Sequence, residues 1–270
     1  MNDSKITDYL NRIKVNDFTP GLAGLTKLQE RHLENIPFEN LDIPAGRRIT
    51  LDHDHLFNKI VQKNRGGYCF ELNTLYAELL KSLGFTPKPV LARVWLSNPK
   101  KLPPRNHLAY LVELDGRTYL TDVGFGGLVT RVPLDINVSV PVSDKDGLVR
   151  IAPVAGQQFM VQRKTKKGWA SQYSFENVEV SEEDIEIANY YMSTNPRSHF
   201  CRHLFVGKLT QDGRIGLFNN KLSFRKGIKK ITTKRIDFGE DWLAAVRNEF
   251  SLNPDFSGKE LTALFYTDPD

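Results

Sequence analysis

The sequence predicts an α+β fold, on three observations. Apolar residues recur at three-and-four spacing through much of the first third, alternating and β-branched runs fill the middle, and short strand-like runs mix with two helical stretches towards the end. With 270 residues, 40% apolar and 26% charged, the chain can bury a large core, and nothing in its composition suggests disorder or a fibrous repeat.

From Ile6 to about Leu83 the pattern is mainly helical, broken at Thr19-Pro20-Gly21, Ile36-Pro37 and Ile43-Pro44. Asp52 is placed to cap a helix from about His53 to Lys63, which Arg65-Gly66-Gly67 then interrupts. The clearest helix follows, with Leu72, Leu75, Tyr76, Leu79, Leu80 and Leu83 on one face and Gly84 as its stop. Residues 1–84 therefore form a helical domain. Strand-like runs at Pro89 to Leu96, His107 to Leu114, Arg117 to Val123 and Gln158 to Arg163 build a β-rich domain over 85–188. In 189–270, after a helical stretch from Glu182 to Tyr191, strands are expected at Leu204 to Leu209, Ile215 to Asn219 and Lys221 to Arg225, with a turn at Asp212-Gly213. A last helix runs from about Asp241 to Glu249. With no repeat and no long linker, the three parts should pack on one another.

Several classes of protein are excluded or disfavoured. Asp3, Lys5, Asp8, Arg12 and Lys14 interrupt the first fifteen residues, so no export signal is visible, and no apolar run approaches the roughly 20 residues a membrane span needs. Two cysteines, Cys69 and Cys201, are too few for a disulfide framework and suit a reducing, cytoplasmic compartment. The formal charge of +5 is spread widely without a nucleic-acid fingerprint. The basic stretch Arg225-Lys226-Gly227-Ile228-Lys229-Lys230 could attract the phosphates of a small ligand or of nucleic acid, but reads more simply as a solvated strand edge. No metal is expected: His53 and His55 cannot share a helix face, and His199 and His203, in a segment expected to be extended, lack a third ligand. Cys201 reads as a core thiol.

Cys69 is different. It lies in the first turn of the Leu-rich helix, where free backbone N–H groups and the helix dipole favour a thiolate, and two glycines just before it allow close backbone approach and unusual conformations. A nucleophilic thiol needs a base, and the base an orienting acid. Asp115-Gly116 between two apolar runs signals a two-residue hairpin. With that turn Leu114 faces Arg117, Ala109 falls opposite Asp122 and His107 opposite Gly124, so His107 and Asp122 share a face as diagonal neighbours roughly 7–8 Å apart. One extra loop residue would reverse the parity.

The segment Arg65-Gly66-Gly67-Tyr68-Cys69-Phe70-Glu71-Leu72-Asn73 resembles the active-site signature of the arylamine N-acetyltransferases. Ile36-Pro37-Phe38-Glu39-Asn40-Leu41, the His107 strand, Thr121-Asp122-Val123-Gly124-Phe125-Gly126-Gly127 and Ser193-Thr194-Asn195-Pro196-Arg197-Ser198-His199-Phe200 resemble further family blocks in the family order. The resemblance implies a helical domain, a β-barrel domain and an α/β lid around a cysteine-protease-like core, with Cys69, His107 and Asp122 as catalytic triad. It implies acetyl-CoA as co-substrate, with no permanently bound cofactor, and arylamines, arylhydrazines or N-hydroxyarylamines as acceptors, acetylated in two half-reactions through acetyl-Cys69. By the same carry-over Phe38, Val94 and Phe125 line the acceptor pocket, Gly126, Gly127, Tyr191 and Ser198 contact CoA, and Arg65 with Glu39 supports the active-site loop. Asn106 stands where the family often has Thr, and Asn195 where His is frequent. The alternatives are a thiol hydrolase or amide synthase with the same triad, and a basic binding protein in which Cys69 has no chemistry.

Overall fold

The computed structural model describes residues 1–96, 99–154, 158–227 and 229–265. The first third is helical, with α1 (Asp3–Arg12), α2 (Leu22–Asn35), α3 (His53–Phe57) and α4 (Cys69–Ser82). Asp52 caps α3 as expected, its Oδ1 accepting from the His55 N–H at 2.8 Å. The helix does not continue as a single α-helix to Lys63. Residues Asn58–Gln62 form a π-turn whose wider winding buries Lys59, Ile60 and Val61. α4 buries its leucine face and ends before Gly84, which takes φ +87°.

A second departure is β1 (Phe38–Glu39), a two-residue strand inside the helical third. It is too short for any periodic signal, and its partner lies far along the chain. Phe38 pairs with Gly207 and Glu39 with Val206, so the helical part supplies the edge of the C-terminal sheet.

The middle of the chain is an antiparallel sheet of β2 (Pro87–Val94), β3 (Arg105–Leu114), β4 (Arg117–Thr121), β5 (Leu134–Asp135), β6 (Val142–Asp144), β7 (Gly147–Val154), β8 (Gln158–Thr165) and β9 (Gly168–Glu176). Their order is β5-β4-β3-β2-β9-β8-β7-β6, and β5 packs near β7, so the sheet curls into a near-closed barrel. β2, β3, β4 and β8 match the runs read from sequence. β9 was not among those runs although Tyr173 and Phe175 alternate with Gln172 and Ser174; the two polar residues are buried as well, so the strand is covered on both faces.

Beyond the barrel come α5 (Glu182–Thr194), α6 (His199–Arg202), β10 (Phe205–Thr210), β11 (Gly213–Phe218), β12 (Lys221–Lys226), β13 (Lys229–Arg235), α7 (Glu240–Phe250) and α8 (Gly258–Phe265). The sheet runs β1-β10-β11-β12-β13. The segment His199–Arg202 is a helical turn, not extended, because Ser198 caps it through the Phe200 N–H and Asn40 donates to the carbonyls of Phe200 and His203, both at 2.8 Å. Ile228 of the basic stretch lies outside the described residues. One continuous apolar core joins the helices to the barrel, and a second fills the space between the C-terminal sheet, α7 and α8 around the buried Trp242. Among the described residues no helix is long and apolar enough to cross a membrane.

Candidate active site

Cys69 is the first residue of α4 and is buried. A set of buried charges fixes the chain on which it sits. Glu71 Oε2 accepts from the Tyr68 N–H at 3.1 Å, while Glu71 Oε1 pairs with Lys59 Nζ at 2.7 Å. Lys59 also reaches Asp42 at 2.7 Å, and Arg65 bridges Asp42 and Glu39, each at 2.9 Å. Burial alone would raise the Asp42 carboxyl, but Lys59 and Arg65 override it and hold it well below the usual range. The sequence reading named only Arg65 and Glu39. Asp42 and Lys59 carried no motif signal of their own; Glu71 stood in the quoted signature without a role, and its place three residues after the cap position Tyr68 was the available hint.

The two glycines before Cys69 serve the protein's own packing rather than an unusual backbone. A Cβ on Gly66 would stand 2.1 Å from the Pro37 carbonyl oxygen, and one on Gly67 would stand 2.9 Å from the Glu71 Cβ. Neither adopts a positive φ. Close approach lets the Glu39 N–H donate to the Gly67 carbonyl at 2.9 Å, locking β1 against the nucleophile loop.

The hairpin has the register read from its turn. Leu114 pairs with Arg117 and Tyr110 with Thr121, and both turn residues have positive φ, Asp115 at 51° and Gly116 at 73°, as a type I′ turn requires. Continuing past the ladder, His107 Nε2 meets Asp122 Oδ2 at 2.8 Å, both residues fully within the core. Asp122 Oδ1 accepts from Asn73 Nδ2 and from the Gly124 N–H, each at 2.9 Å. Nε2 is committed to the carboxylate, while the Cys69 thiol donates weakly to the Asn106 carbonyl at 4.0 Å and stands close enough to His107 to contribute to its raised pKa. The ring packs against Phe125 and Tyr173, with centroids 5.1 and 4.9 Å away.

The electrostatics follow from this geometry. Burial would depress the His107 pKa, but Asp122, by charge and hydrogen bond, and then Cys69 raise it to about 10. Burial likewise pushes Asp122 up, and His107, Asn73 and the Gly124 N–H more than offset it, so the carboxyl lies below its usual range.

Asn73 was quoted in the signature but given no role. It stands one helical turn after Cys69, and besides Asp122 it donates to the Leu108 carbonyl at 2.7 Å and accepts from the Val123 N–H at 2.9 Å. It thus ties α4 to both strands of the hairpin. A polar residue four positions from the cysteine on a leucine-rich helix was the signal available.

A cleft of about 640 Å³, lined by Phe38, Phe125, Gly126 and Gly127, adjoins this constellation through Phe125, which packs on His107; Cys69 and His107 do not themselves line it. Its far wall is basic, with Lys208, Arg214, Lys221 and Arg225, and no carboxylate lines it among the described residues.

A family model described as N-acetyltransferase matches residues 21–257. The arylamine N-acetyltransferase of Escherichia coli K12 is 32% identical over 91% of this chain and 90% of its own length. The chain belongs to the arylamine N-acetyltransferase family. Solved structures agree: that of the Salmonella typhimurium arylamine N-acetyltransferase superposes with a TM-score of 0.93 at 30% identity, over 98% of this chain and 99% of that one. The Mycobacterium marinum arylamine N-acetyltransferase in complex with CoA gives a TM-score of 0.91 at 26% identity, over 97% of this chain and 99% of that one.

Within this arylamine N-acetyltransferase fold the remaining expected site residues are scattered. Phe38, Phe125, Gly126 and Gly127 line the cleft, whereas Val94 does not. Val94 ends β2, half-buried against the core with its N–H donating to Asn106 Oδ1 at 3.0 Å, and Leu96, two residues on, takes its place in the cleft wall. Tyr191 is an exposed residue of α5. Ser198 is buried, its hydroxyl donating to the Met192 carbonyl at 2.6 Å and capping α6, so it is engaged within the fold and does not face the cleft. Asn195 Oδ1 accepts from the Arg197 N–H at 2.9 Å.

Proposed function

We propose that this protein transfers the acetyl group of acetyl-CoA to arylamines, arylhydrazines and N-hydroxyarylamines through a thioester on Cys69. The observation that carries the reading is the buried His107–Asp122 pair, 2.8 Å apart, beside a thiol at the start of α4. With Asp122 raising the ring to about 10, His107 is suited to take up the proton of the attacking thiol. The thiolate attacks the acetyl carbonyl, the carbon–sulfur bond to CoA breaks, and the imidazolium proton passes to the departing CoA sulfur. Neutral His107 then takes a proton from the amine as its nitrogen attacks acetyl-Cys69, which restores thiolate and imidazolium. Free N–H groups in the first turn of α4, including that of Cys69, are suited to the oxyanion.

The cleft supports both substrates. Its aromatic end at Phe38 and Phe125 suits a planar amine, and the missing side chains of Gly126 and Gly127 let those rings pack close, 2.9 and 2.7 Å from where a Cβ would stand. Lys221 and Arg225 suit the CoA phosphates better than the internally bonded Ser198 or Tyr191, which does not line the cleft, while Arg214 is held by Asp146 and the Gly127 carbonyl. A working thiolate also implies a reducing compartment, and we place the protein in the cytoplasm.

Intact-protein mass spectrometry after exposure to acetyl-CoA tests the scheme. One acetyl adduct is expected on the wild type and none on Cys69→Ala, with continuous CoA release only when an arylamine is present. Steady CoA release with water alone would replace the transferase by a thiol hydrolase.

A further inference from the structure

A second cavity, of about 520 Å³, lies where the helical third meets the C-terminal sheet and α7. Arg12, Lys14, Lys208 and Arg247 line it, with the amides of Asn64 and Asn253 between them. Among the described residues no carboxylate lines this cavity, and neither Lys14 nor Lys208 has an acidic partner. Arg247 reaches only the exposed Glu240, at 3.6 Å.

Part of this charge has a structural reason. Arg12 ends α1 with Lys14 two residues beyond it, and Arg247 lies in the last turn of α7, where the carbonyl end of a helix favours cations. Arg12 Nη1 donates to the Asn35 carbonyl at 2.7 Å and Nε to the Ile60 carbonyl at 3.2 Å. That reason does not reach Lys208, which comes from the strand β10. Burial, then Arg12 and Lys14, hold the Lys208 ammonium below its usual range, so the fold brings a third cation towards two others at a cost that a bound anion would remove. Arg12, anchored through Nη1 and Nε, has no partner for Nη2 among the described residues, which makes it a pre-oriented donor.

We propose that this cavity binds a small molecule carrying a diphosphate group, at a site that adjoins the acyl-transfer cleft at Lys208 but is otherwise lined by different residues. Four cations around one space suit a ligand with several anionic oxygens, and the two amides add hydrogen bonds for groups attached to it.

Calorimetric titration of the full chain with inorganic pyrophosphate tests this, comparing wild type with Lys14→Gln/Arg247→Gln. Both substituted residues are exposed and lie outside the cleft, whereas Lys208 is unsuitable because it also forms part of the cleft wall. One site per chain is expected on the wild type, weakened by about tenfold or more in the variant and by added salt. Circular dichroism and acetyl-transfer rate should be unchanged. A nucleoside diphosphate titrated alongside separates the sources: tighter binding than pyrophosphate identifies a nucleotide, and equal or weaker binding a free inorganic anion. Equal pyrophosphate affinity in wild type and variant would place the anion in the cleft and overturn the proposal, as would no saturable binding at millimolar concentration. Neither result bears on acetyl-Cys69, which the mass measurement reads independently.

Discussion

At the scale of single residues, the site depends on one buried carboxylate holding one imidazole. Replacing Asp122 by Asn removes the charge that lifts His107, so its ring, raised to about 10 in the native protein, should titrate below pH 7 in an NMR experiment. Acetyl transfer should fall by about 10³–10⁴-fold, the scale seen when a triad acid is neutralised. The same pair contributes to stability with a definite sign. Because the folded His107 value exceeds 6.5, the contribution is complete below pH 6.5 and fades as pH rises through about 10. Asp122, held low, loses its part only as pH falls below 3.8. The melting-temperature gap between wild type and Asp122→Asn should therefore be widest between these limits. Asn73→Ala removes bonds to Leu108, Asp122 and Val123. It should cost about 2–3 kcal/mol in denaturant unfolding, and lower kcat more than it changes KM. Cys69, His107 and Asp122 were legible because each had a local signal. Asn73 had none stronger than its spacing, since its partners lie 35 to 50 positions away.

Among the elements, the hairpin is the part whose geometry follows most directly from sequence. Asp115-Gly116 sets the turn, the turn sets the register, and the register puts His107 and Asp122 on one face. One glycine inserted between them should reverse that face, leaving a folded protein whose acetyl transfer is no higher than that of Cys69→Ala, measured by CoA release. β1 is the opposite case. Two residues offer no periodicity, and the strand exists because Gly207 and Gly67 flank it. Gly66→Ala would drive a methyl group into the Pro37 carbonyl, so β1 and the nucleophile loop must separate. A loss of about 1–3 kcal/mol in stability is expected, with a larger proportional loss of activity as Cys69 shifts. The π-turn was equally hidden, because its cause is the burial of Lys59 against carboxylates from two other segments.

For the molecule as a whole, the charged network under α4 joins distant parts of the chain. Arg65 reaches Glu39, Asp42 and Asp255, while Arg47 reaches Asp255 and Glu260 and lies over the Phe256 ring at 4.7 Å. The tail near residues 255–260 therefore helps to fix the nucleophile loop. Lys59→Met would leave Asp42 and Glu71 without their buried cation and should cost about 3–5 kcal/mol, read from the urea midpoint. From sequence alone came the α+β class, the main helices, half of the barrel strands and the three residues of the Cys–His–Asp constellation. These rest on interactions within a few positions: side-chain period, caps, a two-residue turn. Only the tertiary structure decided the two-residue strand that stitches the first third to the last, the buried ions beneath Cys69, the basic wall of the cleft and the second cationic cavity. Each of these is made by residues that meet only after the chain has folded, and a linear pattern holds no record of which distant charge or carbonyl will stand opposite.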